Sequence, residues 1–113
     1  MKILKTIIKL VTFTLVQQLS AENYSITGYV RDIASGEALI GANVFVEGTS
    51  IGSATNKNGF YKIDNLKEGN YSLKVSYIGY GSTLDSIKLS GEKSELALDF
   101  NLNYTTIEGN EVL

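Results

Sequence analysis

The strongest constraint on the fold is a strict alternation of apolar and polar residues in the middle of the chain. Every second residue of segment 71–77 is apolar, and the residues between them are Ser or Lys. A period of two places the two sets on opposite faces of a β-strand, and a slip of one residue would expose the whole apolar set. The segment therefore predicts a strand with one buried face and a well-defined register.

The same alternation recurs along most of the chain, and no long window has helical periodicity. It is found in segments 25–31, 42–47, 52–55, 60–63, 83–89 and 96–102. The breaks between segments are rich in Gly, of which there are 11, whereas Pro is absent. About seven short strands, each with one apolar face, are typical of antiparallel sheets in a sandwich or small barrel. We therefore predict an all-β domain.

Two short sequences carry more local predictions. Gly28 lies on the apolar face of the first strand, beside Ile26 and Val30, where it leaves room for a neighbouring backbone or ring. The run Asn56–Gly59 contains the Asn-Gly pair that favours hairpin turns. It has the amide oxygens of a weak calcium loop but no closing acidic residue. We interpret it as a plain hairpin turn.

The first 21 residues have the three parts of a secretory signal peptide. Lys2 and Lys5 precede an apolar run at 7–16, and the small residue Ala21 marks the expected cleavage site. The run is too short to span a bilayer as a helix. A buried N-terminal helix or a retained anchor is the alternative interpretation. No Cys follows the run, which excludes a lipoprotein anchor.

Composition narrows the chemistry further. The chain has no His, Cys or Trp, so it lacks a disulfide framework, a thiolate nucleophile and the commonest general base. Its net charge is −2, and its Lys and Arg residues are scattered, which argues against nucleic-acid binding. We predict no cofactor and no metal ion.

Two sets of side chains are weak candidates for a site. The acidic residues lie in no recognisable pair of the kind that a glycosidase needs, and we interpret them as solvated; they are Asp64, Glu68, Asp85, Glu92, Glu95 and Asp99. Among seven Tyr residues, Tyr29, Tyr61 and Tyr80 are candidates for carbohydrate stacking, with Tyr77 beside them. Core or corner packing with the hydroxyl near water is the favoured alternative for these rings.

Five segments in order are similar to a known family. They are 28–32, 41–49, 52–56, 59–61 and 69–80. Together they resemble the carboxypeptidase regulatory-like domain family. The resemblance implies a Greek-key β-sandwich, transthyretin-like or immunoglobulin-like, over residues 22–102, followed by an extended tail at 103–113.

The ending Ser76-Tyr-Ile-Gly-Tyr80 is similar to the version found at the N-terminus of TonB-dependent outer-membrane receptors of the polysaccharide-uptake type. There a signal peptide, sandwich, TonB box, plug and barrel follow one another. Glu111, Val112 and Leu113 resemble the opening of a TonB box, which predicts a partner-binding segment; a frayed polar tail is the alternative. The sequence ends here, so we expect a fragment without plug and barrel.

The resemblance also implies a location and partners. We expect an exported chain in the periplasm, associated with the outer membrane only through the missing barrel. TonB, or the receptor's own plug and barrel with its lipoprotein partner, would be the contacts. The expected function is that of a non-catalytic accessory domain of a nutrient receptor. A free-standing secreted carbohydrate-binding sandwich is the alternative; an enzyme would need a cleft with two facing acids, which the sequence does not indicate.

Overall fold

A computed structural model describes residues 23–105, which form eight strands. The bounds are β1 Tyr24–Asp32, β2 Asn43–Val46, β3 Gly52–Ala54, β4 Phe60–Leu66, β5 Gly69–Ser76, β6 Thr83–Leu89, β7 Glu95–Ala97 and β8 Phe100–Leu102. Within this range there is no helix of the length and hydrophobicity that a membrane crossing requires. The predicted all-β class is confirmed.

The strands form two sheets packed face to face. In the first sheet β1 lies between β4 on one side and both β7 and β8 on the other. The second sheet has the order β3-β2-β5-β6. Only β2–β3 and β5–β6 are consecutive strands that pair with each other. β7 and β8 follow one another along the same edge of β1, and every other connection crosses to the opposite sheet. This is the Greek-key sandwich that the resemblance implied.

The core lies between the sheets and is built from the apolar face of each alternating segment. Ile26 and Val30 of β1 are fully buried, as are Val44, Leu73 and Val75 of the opposite sheet. The inward faces predicted for these strands are confirmed, because intervening residues are exposed or partly exposed. Burial of large aliphatic side chains contributes about 1.5–3 kcal/mol each relative to exposure, which makes this core the main source of stability.

The expectation of purely antiparallel sheets is wrong for the first sheet. Here β1 pairs antiparallel with β4 but parallel with β7 and β8. Alternating burial reports that one strand face is covered, and it carries no information on the direction of the neighbouring strand. The first and last strands of the domain therefore run side by side in the same direction.

The predicted strand 96–102 is divided in two at Leu98 and Asp99. The partners Ser25–Glu95 and Asp32–Leu102 are separated by the same number of residues, so the register does not change across the break. A Cβ on Gly28 would lie 1.8 Å from the carbonyl oxygen of Leu98. The prediction that Gly28 admits a neighbouring backbone is confirmed, and the eighth strand arises from this close approach.

The turn at Asn56–Gly59 forms, but it does not make a hairpin within one sheet. Its preceding strand β3 belongs to the second sheet and its following strand β4 to the first. The Asn56 side chain accepts hydrogen bonds from the backbone N–H groups of Asn58 at 2.9 Å and Phe60 at 3.0 Å. Asn56 therefore stabilises a corner between the sheets, which sequence cannot distinguish from a hairpin because both need the same tight turn.

Candidate partner-binding surface

Residues 103–105, which follow the last strand, pair with the loop that follows β5. Gly81 N–H donates to the carbonyl of Asn103 at 3.0 Å, and Thr105 N–H donates to the carbonyl of Gly79 at 2.8 Å. These bonds flank an antiparallel bridge between Tyr80 and Tyr104. The start of the tail is thus held by main-chain hydrogen bonds to the sandwich.

The receiving loop is a tight turn from Tyr77 to Tyr80. Tyr80 N–H donates to the Tyr77 carbonyl at 3.0 Å, and Gly79 has φ of 85°. A residue with a side chain would be strained at that φ, and its Cβ would lie 3.4 Å from the ring of Tyr104. Gly79 therefore serves both the turn and the approach of the tail.

Three tyrosine rings cluster around this turn. The centroid of Tyr80 lies 5.6 Å from that of Tyr77 and 5.4 Å from that of Tyr104, which it meets edge to face. Such pairs contribute about 0.5–1.5 kcal/mol beyond their burial. The expected role of Tyr80 in packing at a strand corner is confirmed. Its partner Tyr104 was not predicted, although an aromatic residue directly after the last strand was a usable signal.

The hydroxyl of Tyr80 joins this cluster to the end of β1. It donates a 2.7 Å hydrogen bond to Oδ2 of Asp32, whose Oδ1 accepts from the backbone N–H groups of Ala34 and Ser35 at 2.8 and 2.9 Å. The bond from Tyr80 is the main cause that holds the pKa of Asp32 below its usual value, and Ser35 and Ala34 lower it further. The same bond raises the pKa of Tyr80 to about 12.

Four large apolar side chains are exposed in residues 103–105 and in the loops after β1 and β5, and we name them the exit patch. Ile78 is 94% exposed and Tyr104 64%, and they adjoin across Gly79. Ile33, whose N–H donates to the Leu102 carbonyl, is exposed too, as is Ile40. An open groove of about 620 Å³ lies beside Ile78 and is lined by Gly41, Asn43, Ser76 and Tyr77. Exposed apolar side chains beside an open groove are typical of a binding site.

The residues predicted for carbohydrate stacking do not form a platform. Tyr61 is only 1% exposed and packs against Phe100, so its ring cannot present a face to a sugar. Tyr29 packs edge to face on Phe60 at 5.2 Å, under the guanidinium of Arg31 at 4.5 Å. Tyr80 belongs to the separate cluster around the exit patch. The stacking assignment of Tyr61 is wrong because the inward face of β4 places this ring in the core.

The Tyr61 hydroxyl has a structural partner. It donates a 2.6 Å hydrogen bond to the carbonyl of Leu98, at the break between β7 and β8. Burial raises the pKa of Tyr61, and the negative charges of Asp99 and Asp85 raise it further. The hydroxyl therefore stays protonated at neutral pH and can donate. It donates to the Leu98 carbonyl, which has no backbone donor from β1 because the pairing is broken at this point.

The acidic residues show no arrangement for catalysis or metal binding in the part of the chain that the structure describes. Among residues 23–105 no three His, Cys, Asp or Glu side chains gather in a way that could hold a metal ion. Asp64 forms an exposed ion pair with Lys62 at 3.6 Å, and Asp99 accepts a hydrogen bond from the backbone of Tyr29. The groove beside Ile78 is lined by no carboxylate.

The remaining predictions fall outside the described residues. These are the signal peptide at 1–21 and the partner-binding segment Glu111, Val112 and Leu113. Besides Tyr104, sequence reasoning missed Asp32 and Ile78. Asp32 directly precedes the turn at 33–36, where an Asp side chain often accepts backbone N–H groups, and this was the available signal.

Comparison with known proteins identifies the family of this chain and finds solved structures with a similar fold. Residues 26–113 match the CarboxypepD_reg-like domain over most of the chain. The chain belongs to the CarboxypepD_reg-like domain family. One curated relative is the TonB-dependent receptor SusC of Bacteroides thetaiotaomicron, which is 40% identical over 60 residues. The aligned part is 53% of this chain but only 6% of the receptor.

Solved structures similar to this CarboxypepD_reg-like domain show the fold alone. The major pilin subunit BcpA of Bacillus cereus superposes with a TM-score of 0.62 at 16% identity, over 74% of this chain and 31% of that one. A chain of a type II cohesin–X–dockerin complex from Acetivibrio cellulolyticus gives 0.57 at 20% identity, over 70% and 56%. The shared feature is the two-sheet β-sandwich.

Proposed function

We propose that this chain is an exported accessory domain of a TonB-dependent outer-membrane nutrient receptor and acts through protein contacts. The observation that carries the proposal is the 40% identity to SusC over 60 residues. Membership of the CarboxypepD_reg-like domain family supports it. In this proposal residues 1–21 direct export, residues 22–102 form the periplasmic sandwich, and residues 103–113 lead towards a plug and barrel.

The proposed partner contact is at the tail. Glu111, Val112 and Leu113 would pair through their main chain with a sheet edge of TonB, a recognised mode of peptide binding. The sandwich supports this role because it anchors residues 103–105 by hydrogen bonds to Gly79 and Gly81. The tail then begins from a fixed position, which reduces the conformational entropy lost on binding.

A role without catalysis is supported by the chemistry of the domain. Three polar side chains that could belong to a site form hydrogen bonds within the domain instead: Tyr80 with Asp32, Tyr61 with Leu98, and Asp99 with Tyr29. Hydrogen bonds of this kind stabilise the sandwich, and none of these three pairs within residues 23–105 presents an activated nucleophile or base. The exit patch, in contrast, offers apolar surface of the kind that proteins contact.

The tail contact is tested by titrating the full chain with the C-terminal domain of TonB. Val112→Pro removes a main-chain donor, whereas Val112→Ala keeps it and serves as the matched control. We expect wild type and Val112→Ala to bind with similar affinity and Val112→Pro to bind at least about tenfold more weakly. Equal binding by all three, or none by any, would contradict the tail contact.

Export is tested separately. Expression in a bacterium that carries an outer membrane, followed by fractionation and N-terminal sequencing, should recover a chain that begins at Glu22 in the periplasmic or outer-membrane fraction. Recovery of an uncleaved chain in the cytoplasm would contradict the assignment as an exported receptor domain, whatever the result of the TonB titration.

A further inference from the structure

The first and last strands of the domain are direct neighbours and run in the same direction. β1 is nine residues long and extends about 30 Å at the rise of a β-strand. Its partners are β7 along its first half and β8 along its second half, in one continuous register. Because the pair is parallel, the N-terminal end of β1 and the C-terminal end of β8 lie at opposite ends of the sandwich.

This geometry decides how tension between the two ends of the domain would act. Pulling on Asn23 and Asn103 would slide β1 and the last strand past each other along their length. All hydrogen bonds between the two strands would then resist at the same time. Pulling on two points at the same end of the pair would instead load and break these hydrogen bonds one after another, starting from that end.

Hydrogen bonds between the two strands are spread along the whole pair, as four of them show. Ser25 N–H donates to Ser94 O at 2.8 Å, and Leu98 N–H to Thr27 O at 2.7 Å. Tyr29 N–H donates to Oδ1 of Asp99 at 2.8 Å, and Ile33 N–H to Leu102 O at 2.9 Å. The break at Leu98 is thus bridged by a side chain rather than left unbonded.

The pair is also held from the sides. β1 is bonded on its other edge to β4, so it cannot swing away from the last strand without breaking a second ladder. Ile26, Val30 and Leu102 are fully buried, so sliding would also drag apolar side chains through a packed core. Both features add to the resistance along the axis between the ends.

We propose that this domain is mechanically anisotropic: the parallel pairing of β1 with β7 and β8 makes it resist tension applied between its N-terminal and C-terminal ends more strongly than tension applied at one end of the pair. This property follows from the described strands and does not depend on the receptor assignment. Asp99 is the residue that keeps the resisting ladder continuous, since its carboxylate replaces the missing backbone acceptor.

The test is single-molecule unfolding with optical tweezers on the full chain. The sequence has no Cys, so paired Cys substitutions can carry the handles without background labelling. Asn23→Cys with Asn103→Cys applies tension from opposite ends. Ile33→Cys with Asn103→Cys applies it from the same end, and the exposed position of Ile33 makes this a conservative change.

We expect the unfolding force from opposite ends to exceed the force from the same end by about twofold or more at equal loading rate, because forced unfolding follows the unfolding barrier. Asp99→Ala should lower the first force and leave the second unchanged. Tyr71→Phe removes the hydrogen bond to Lys67, which does not join β1 to the last strand, and should alter neither. Equal forces in the two geometries, or an opposite-end force that Asp99→Ala does not change, would overturn the proposal.

Discussion

The carboxylate of Asp99 accepts, at 2.8 Å, the hydrogen bond from the backbone N–H of Tyr29. In an unbroken parallel ladder with this register, that N–H would donate to the carbonyl of Leu98. The Leu98 carbonyl instead accepts from Tyr61, which reaches it from the core. Two side chains thus complete the backbone pairing at the one place where Gly28 and Leu98 approach too closely for a regular strand.

Removal of the acceptor at position 99 should loosen the ladder locally. We expect Asp99→Ala to speed hydrogen exchange of the Tyr29 amide and to reduce the free energy of unfolding by about 1 kcal/mol. Asp99→Asn retains a side-chain oxygen and should keep most of the protection. NMR exchange rates and urea denaturation measure both quantities. Unchanged exchange at Tyr29 in Asp99→Ala would show that the hydrogen bond does not protect this amide.

Removal of the Tyr61 hydroxyl should reduce the free energy of unfolding more than removal of an exposed tyrosine hydroxyl does. Tyr61→Phe leaves the Leu98 carbonyl without this donor beside the core, and we expect a loss of about 1–2 kcal/mol in the free energy of unfolding. Tyr71→Phe is the matched control, because the Tyr71 hydroxyl bonds the Lys67 carbonyl at an exposed position. Urea denaturation of both variants gives the comparison. A larger loss for Tyr71→Phe would contradict the role assigned to Tyr61.

A single methyl group added at position 28 should strongly destabilise the domain. In Gly28→Ala the new Cβ would lie 1.8 Å from the Leu98 carbonyl oxygen, so the two strands must separate. We expect a loss of about 3 kcal/mol in the free energy of unfolding, towards the upper range for point mutants. Gly81→Ala is the control, because its Cβ would meet Thr105 Cγ2 at an ordinary 3.6 Å. Equal stability of the two variants would be inconsistent with the described approach of β1 to Leu98.

The hydrogen bond between Tyr80 and Asp32 should give stability a dependence on pH at both extremes. The folded pKa of Asp32 is lowered, so its contribution is present above the unfolded pKa near 3.8 and is lost as the pH falls through the folded value. The folded pKa of Tyr80 is raised from 10.0 to about 12, so its contribution is complete below pH 10 and is lost as the pH rises towards 12.

Comparison of wild type with Tyr80→Phe isolates this pair. We expect the difference in melting temperature between them to be largest between pH 5 and 9 and to shrink below about pH 4 and above about pH 10. Thermal denaturation monitored by circular dichroism measures it. A difference that stays constant from pH 3 to 11 would indicate that the Tyr80 hydroxyl stabilises the fold through packing alone.

Sequence patterns predicted the elements of this fold better than their arrangement. The period of two placed Ile26, Val44 and Val75 on inward faces, because a strand with one buried face has apolar residues at every second position. The direction of β7 and β8 beside β1 has no such signal, because the alternation is the same for parallel and antiparallel neighbours. The turn at Asn56–Gly59 was located correctly, but its role as a corner depends on which sheet receives β4, which is a property of the whole chain.

The candidate site was harder to predict, for a related reason. Tyr29, Tyr61 and Tyr80 look alike in a sequence, yet one lies on an outer face, one in the core and one at a strand corner. Their difference comes from strand phase and from partners far along the chain, such as Asp32 for Tyr80. The exit patch was missed because single exposed apolar residues such as Ile78 carry no periodic signal.

The adjacency of β1 and β8 also has a consequence for the order in which the domain can fold. β1 is the first strand to be made, and the strands that close its edge are the last. Until they arrive, one edge of β1 stays open and is prone to pair with another chain. Contacts between residues so far apart in sequence slow folding. Completion of the sandwich must therefore wait until residues 94–102 have been synthesised, and until then β4 is the only strand that pairs with β1.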